Sequence, residues 1–201
     1  MENTRHPPPN KWVRIASGAI IVSIVLSIAL GLVLWEWRKT SLQTCEERVR
    51  ITGDAILILS QSLYRLMDAI DNVKEKNLSD SYVKAYVYSW VSSSEFISSQ
   101  VDGIAYYMDY ECCSQHGLCD VRGNISRIRD LLSSWSNILG WNRTFIGTLT
   151  NHTNEIKDVA RGLELISRSL LNPEKIEMNR AKINQGLMLI DKALDNLERI
   201  K

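Results

Sequence analysis

The first strong pattern along the chain is an unbroken apolar run near its start. From Ile15 to Trp35 the sequence IASGAIIVSIVLSIALGLVLW contains no charged residue over 21 positions. As a helix with a rise of 1.5 Å per residue it spans about 30 Å, the thickness of the hydrocarbon core of a bilayer. A buried core helix would rarely run this long without a polar stripe. The pattern therefore predicts a transmembrane helix over residues 15–37.

Aromatic and basic residues flank this run on both sides, as expected where a helix leaves a membrane. The predicted interface anchors are Trp12, Arg14, Trp35, Trp37, Arg38 and Lys39. A cleaved signal peptide is an alternative, because the run is N-terminal and follows basic residues. It exceeds a typical signal-peptide core, however, and ends in WEWRK without a small-residue cleavage motif. An archaeal-type pilin signal has a similar layout but would need a processing site before Ala19. We predict an uncleaved signal anchor.

The rest of the chain spaces its apolar positions by three and four residues, which is typical of amphipathic helices. This spacing predicts a helix over 45–76, a second from Ser81 to about Tyr110, a third over 121–139 and a last one beginning near Pro173. From 145 to 170 the spacing continues almost in phase, so it leaves open whether 121–171 forms one helix or two. We expect an all-α fold, in which a single N-terminal transmembrane helix is followed by an antiparallel bundle of four to five long helices.

The last predicted helix has clear boundary signals and a regular apolar seam. Asn172 can cap it, and Pro173 suits the first position, where a missing N–H has no cost. Apolar residues then recur at nearly heptad spacing, as in helices that pair with one another. The seam predicts packing within the bundle or, alternatively, a protein partner or self-association. Its members are Ile176, Ile183, Leu187, Ile190, Leu194 and Leu197.

The chain thus divides into three predicted parts: a disordered cytoplasmic tail (1–14), the signal anchor (15–37) and an extracytoplasmic helical bundle (38–201). The basic residues on the two sides of the anchor are similar in number and do not decide its orientation. A short tail before a long domain is usual for an anchor with its N-terminus inside the cell.

Candidate glycosylation sequons in the outer part agree with this orientation, if the cell glycosylates. They begin at Asn77, Asn124, Asn142 and Asn151.

Four cysteines suit an oxidising compartment. Cys45 begins the first outer helix, and the chain returns to its level at Cys112 and Cys113 after two helices of about 45 Å each. We expect a disulfide between Cys45 and one of these two, and a second between the other and Cys119. The alternative is a zinc site in a reducing location, formed by Cys112, Cys113, His116 and Cys119.

Charge and motifs argue against several functions. The net charge of +1 gives no basic surface for nucleic acid. The three histidines are scattered, and none of the common hydrolase, metalloprotease or nucleotide-binding motifs occurs. Carboxylates such as Glu95, Asp158, Glu177 and Asp191 lie on predicted solvent faces beside basic residues. We expect no enzyme and no cofactor.

Two functional interpretations remain strongest. The first is a single-pass protein of the cell membrane whose outer bundle acts by protein–protein contact, as a surface, assembly or accessory subunit of a membrane complex. The alternative is a sensor or receptor ectodomain that signals through a separate cytoplasmic partner, since about 14 residues inside the cell are too few to signal alone. A third, an inward-facing metal-binding domain, requires the zinc site. The lipid bilayer is a partner in the first two.

Overall fold

The computed structural model describes residues 22, 25–33, 45–75, 80–106, 118–142 and 144–200. Within these ranges every secondary-structure element is helical, which confirms the predicted all-α class. Five helices are long, and a short α-helix and a 3-10 turn connect them. They are α1 (Cys45–Glu75), α2 (Asp80–Tyr106), α3 (Cys119–Trp141), α4 (Phe145–Thr150), α5 (Thr153–Leu170), the 3-10 helix (Pro173–Lys175) and α6 (Ile176–Leu197).

Helix α1 lies at the centre of the fold. The three- and four-residue spacing predicts that Leu59 and Ile70 face inward, and both are buried, but so are Val49 and Ile56, which fall outside that spacing. The reason is that α1 packs against α2 on one side and against α5 on another. A helix with two packed neighbours buries a wider arc than the single stripe that periodicity detects.

Small polar residues line the contact between α1 and α2. Ser62 Oγ and Ser94 Oγ lie 2.6 Å apart and are buried, so one hydroxyl donates a hydrogen bond to the other. Ser92 Oγ approaches Ser136 Oγ at 3.3 Å and links α2 to α3 in the same way. Ser94 and Ser92 thus join α2 by hydrogen bonds to both of its neighbouring long helices.

The region 121–171, which the apolar spacing left open, contains three helices. α3 ends at Trp141. The next residue, Asn142, has an extended backbone (φ −114°, ψ 108°), and its Oδ1 accepts hydrogen bonds from the backbone N–H and the hydroxyl of Thr144. A second break falls at Asn151 and His152. Phe145 packs edge-to-face on Trp135, with 6.4 Å between the ring centroids. Apolar residues on the two sides of the first break therefore still contact each other.

The final helix begins close to the predicted position. Pro173 is the first residue of the 3-10 turn, and Asn172 precedes it at the cap position without forming a side-chain cap hydrogen bond. α6 then continues from Ile176. The backbone N–H of Lys175 donates instead to the Asn172 carbonyl at 2.9 Å, which closes the turn.

The long helices form a closed circuit in which α3 packs on α2, α2 on α1, α1 on α5 and α5 on α6, while a narrower contact joins α6 to α3. Glycine sets the distance between α5 and α6. A Cβ added at Gly162 would lie 2.6 Å from the carbonyl oxygen of Gly186, and one added at Gly186 would lie 2.6 Å from the carbonyl oxygen of Gly162. The backbones meet directly there, so neither position has room for a side chain.

The predicted signal anchor lies largely outside the described residues, and the tail of residues 1–14 lies wholly outside them. Within the anchor, residues 22 and 25–33 are helical. Among the helices that the structure describes, none combines the length and the apolar character that crossing a membrane requires.

Candidate interaction surfaces

The described part of the apolar N-terminal segment has two different sides. Leu30 is 1% exposed, and Val22, Leu26 and Val33 are partly buried against apolar neighbours. Large apolar side chains also point outward, where a water-facing helix would carry polar residues. Their exposed fractions are 58% for Val25, 57% for Ile28 and 62% for Leu32. The predicted interface anchors, Trp12, Arg14, Trp35, Trp37, Arg38 and Lys39, lie outside the described residues.

The two described cysteines open two helices. Cys45 is the first residue of α1 and Cys119 the first of α3, and both are disulfide-bonded. Cys112, Cys113 and His116 lie outside the described residues, so the predicted pairings stay predictions. Within the described ranges no group of three or more histidine, cysteine, aspartate or glutamate side chains is placed to hold a metal ion. Because Cys119 is oxidised, it has no thiolate to offer to zinc.

The sequons differ sharply in accessibility. Asn124 is 5% exposed and lies within α3, so a glycan there would conflict with the packed helix. Asn142 is partly buried at the end of α3. Asn151 is exposed, at the break between α4 and α5. Asn77 lies outside the described residues. Asn151 is therefore the most accessible described acceptor.

A single arginine joins α3 to α6. The Arg127 guanidinium donates to Asp191 at 3.0 Å, Asp195 at 2.9 Å and Glu198 at 3.1 Å. The hydrogen bond to Glu198 contributes most to raising the pKa of Arg127, against the opposing effect of partial burial. The guanidinium thus stays charged and closes the helix circuit with ion pairs. Arg127 lies 64 to 71 residues before its three partners in the chain. Periodicity within one helix therefore gives no sign that they meet.

A second charged group lies where α2 ends and α3 begins. Arg129 pairs with Asp102 of α2 and with Asp130, its neighbour in the chain, and the hydrogen bond to Asp130 contributes most to raising the pKa of Arg129. Two helical turns before Arg129, the Arg122 guanidinium lies over the Tyr106 ring, 4.5 Å from its centroid. Both arginines, Asp102 and Tyr106 border a surface concavity of about 490 Å³. Sequence reasoning did not single out this concavity.

The predicted seam on the last helix faces inward. Five members are buried, namely Ile176, Ile183, Ile190, Leu194 and Leu197. The sixth, Leu187, is only partly buried. Since these residues pack within the chain, a partner that binds α6 would meet other side chains first. The outward side of α6 carries Met178, which is 82% exposed, and Met188, which is 65% exposed.

Helix α2 carries apolar groups on both sides. The three- and four-residue spacing predicts an inward stripe that includes Trp90, Val91 and Ile97, and all three are buried. The outward side nevertheless presents three aromatic rings, with exposed fractions of 45% for Tyr82, 40% for Tyr88 and 50% for Phe96. Exposed aromatic side chains are common in protein contact sites because they offer a large rigid area at low entropic cost. The inward stripe had been predicted from spacing; the outward rings had not.

The carboxylates that the sequence placed on solvent faces lie on helix surfaces: Asp158, Glu177 and Asp191 are exposed, and Glu95 is half-buried. His152 is half-buried, with Nδ1 3.7 Å from Glu155 Oε2, which is too long for a hydrogen bond. In the core, the indole N–H groups of Trp90 and Trp135 have no hydrogen-bond partner within the part of the chain that the structure describes. We find no general acid or base aligned with a nucleophile among these residues.

No protein-family model matches the chain, and neither a curated protein nor a solved structure matches it.

Proposed function

We propose that the chain is a single-pass membrane-anchored protein whose extracytoplasmic helical bundle acts by protein–protein contact, as a surface, assembly or accessory subunit of a membrane complex. The observation that carries this proposal is the outward display of large apolar side chains by helices that are already packed on their other side. Val25, Ile28 and Leu32 do so in the N-terminal segment, and Tyr82 and Phe96 do so on α2.

The membrane anchor is supported by the character of residues 15–35. The run has no charge, and its described part exposes apolar groups outward at more than half of their surface. Burying such side chains in lipid is favourable at roughly 25 cal/mol per Å² of apolar area. A packed aqueous domain gains nothing from leaving them exposed.

An outer location is supported by cysteine chemistry and by one sequon. The disulfide-bonded state of Cys45 and Cys119 suits an oxidising compartment. Asn151 is exposed between two helices, where a glycan meets no packed neighbour. With the tail of residues 1–14 inside the cell, the bundle lies outside.

Contact is favoured over ligand sensing by the hydrogen bonds that join α1 to its neighbouring helices. Ser60 donates to the Ala160 carbonyl at 2.8 Å, and Ser62 shares a hydrogen bond with Ser94, so at these positions the helices bind one another. The metal-binding alternative needs Cys119 as a thiolate, and that sulfur is disulfide-bonded.

The anchor and its orientation can be tested in mammalian cells expressing the full chain with a C-terminal tag. We expect the protein to stay in the membrane pellet after alkaline carbonate and the tag to be digested by protease added to intact cells. Removing N-glycans should increase mobility, and Asn151→Gln should abolish that glycan. The matched control Asn124→Gln removes a buried sequon and should leave the glycan pattern unchanged. A carbonate-soluble chain, or a protected tag, would contradict the proposal.

The contact surface can be tested by replacing Phe96 with a photoreactive residue in the same cells. Irradiation should give one discrete heavier adduct with a protein. The control is the same replacement at Asn137, an exposed polar position on α3. An absent adduct at Phe96, or the same adducts at both positions, would count against a specific contact through α2.

A further inference from the structure

The concavity of about 490 Å³ between the end of α2 and the start of α3 has the features of an anion-binding site. Arg122, Gly123, Ser126 and Arg129 of α3 line one side, and Tyr106 of α2 lines the other. Guanidinium and hydroxyl groups are the donors that proteins use for phosphate.

One cation of the concavity has no carboxylate opposite it. Asp102 also lines the concavity, but its carboxylate is paired with Arg129, and Arg129 is paired a second time with Asp130. Arg122 has no carboxylate partner among the described residues, and its guanidinium carbon lies 4.5 Å from the centroid of the Tyr106 ring. A guanidinium held against an aromatic ring keeps N–H groups that can donate. The two arginines and two aspartates of this group sum to zero formal charge, so the feature that favours an anion is the guanidinium of Arg122 that no described carboxylate pairs.

Its position within the fold is the second observation. α1 and α2 are antiparallel, and the Ser62–Ser94 contact sets their register. Ser62 lies 17 residues beyond Cys45 and Ser94 lies 12 residues before Tyr106, so at 1.5 Å per residue Tyr106 is within about 8 Å of the level of Cys45. Cys45 follows the predicted membrane segment by only a few residues. The exposed Tyr106 ring and the Arg122 cation thus lie at the end of the bundle where α1 begins, which is the end nearest in sequence to the predicted membrane segment.

We propose that this concavity binds the phosphate of an anionic lipid headgroup and so fixes the bundle against the membrane surface. The inference rests on the proposed membrane anchor. Arg122 and Ser126 would donate to the phosphate oxygens, while the Tyr106 ring would lie at headgroup depth, where tyrosine is enriched in membrane proteins. A soluble phosphate compound shares this chemistry, but the lipid is favoured because the concavity lies at the anchored end.

The test uses the full chain in nanodiscs of phosphatidylcholine with or without phosphatidylglycerol. A benzoylphenylalanine replaces Gly123, where an added Cβ meets no atom within 4 Å, and radiolabelled phosphatidylglycerol reports capture on irradiation. The matched control is the same replacement at Gly147, which is equally open but lies beyond the far end of α3. Arg122→Gln is compared with Arg65→Gln, whose side chain is 61% exposed on α1.

We expect capture at Gly123 and not at Gly147, reduced about fivefold by Arg122→Gln, the factor that corresponds to about 1 kcal/mol for a basic side chain at an anionic surface. Arg65→Gln should change nothing. Equal capture at both glycines, or no effect of Arg122→Gln, would overturn the proposal. If glycerol 3-phosphate competes fully in detergent micelles, the site takes a soluble ligand and the lipid assignment is wrong. A chain that fails to enter nanodiscs would refute the membrane anchor instead.

Discussion

Helix α6 is held by two seams of opposite character, and their comparison explains how the bundle is built. Against α5, two glycines bring backbones into direct contact, and Ile190 fills the space beside Gly162. Against α3, the contact is narrower, and Arg127 bridges three carboxylates that are at least one-third exposed. The first seam depends on shape and excludes water. The second depends on charge and is open to solvent, so it should contribute much less to stability.

The largest effect should come from placing a charge in the apolar part of α6. Leu194 is fully buried, so Leu194→Asp should destabilise the fold by about 4 kcal/mol or more, because the carboxylate would lose its hydration without gaining a partner. Leu187 belongs to the same predicted seam but is only partly buried, and Leu187→Asp should cost roughly 1 kcal/mol. Urea unfolding of the full chain in detergent, followed by circular dichroism, measures both. Equal losses would show that the two positions are equally enclosed.

The glycine seam can be tested with a substitution that normally stabilises a helix. Gly162→Ala should cost about 1–3 kcal/mol, since the new methyl would meet the Gly186 carbonyl at 2.6 Å and a backbone oxygen cannot move aside. Gly103→Ala is the control on α2, where an added Cβ meets nothing within 4 Å, and it should stabilise by about 0.5–1 kcal/mol. The same urea denaturation measures both the loss of stability at Gly162 and the gain at Gly103. A gain at Gly162 would mean that α5 and α6 are further apart than the structure places them.

The ionic seam should be weaker and dependent on salt. Arg127→Met removes the bridge and leaves three carboxylates without their cation, at a cost of about 1 kcal/mol in low salt that shrinks in high salt. Arg65→Met breaks only an exposed pair with Asp68 inside α1 and should cost about 0.3 kcal/mol. If the stability loss of Arg127→Met did not change with salt concentration, the contact between α3 and α6 would depend on packing and not on charge.

The smallest expected effect concerns Tyr64, which links α1 to α5. Its hydroxyl donates to Glu164 at 3.2 Å, and burial, followed by the Glu164 charge, raises the pKa of Tyr64 above its usual 10.0. The folded chain therefore holds this proton more tightly than the unfolded chain, so its contribution is present below about pH 10 and is lost as the pH rises further. Tyr64→Phe should be less stable than the parent by under about 1 kcal/mol at about pH 8.

Repeating that comparison at about pH 11 should narrow the stability difference between the two proteins, because only the parent loses this contribution there. All other titrating groups are shared and cancel in the comparison. A difference that stayed constant with pH would show that Tyr64 is no more protected from solvent than a surface tyrosine.

These cases show how far periodicity within one helix can reach. It predicted that Leu194 lies inside, and Leu194 is buried; it placed Leu187 in the same seam, but Leu187 is only partly buried. It did not single out Gly162, whose role appears only when a second backbone lies against it. The charged group around Arg122 and Tyr106 was also missed, because its members come from two helices joined by a connecting segment.

Local patterns were enough to determine the helical class, the approximate limits of the long helices, the apolar N-terminal run and most inward positions, since each depends on residues close together along the chain. The order in which helices pack, the glycine contact of α5 with α6, the ion pairs between α3 and α6, and the charged concavity beside Tyr106 depend on distant residues. Those contacts follow from the distances and angles between packed helices, which a one-dimensional pattern does not contain. Tertiary packing alone decided them.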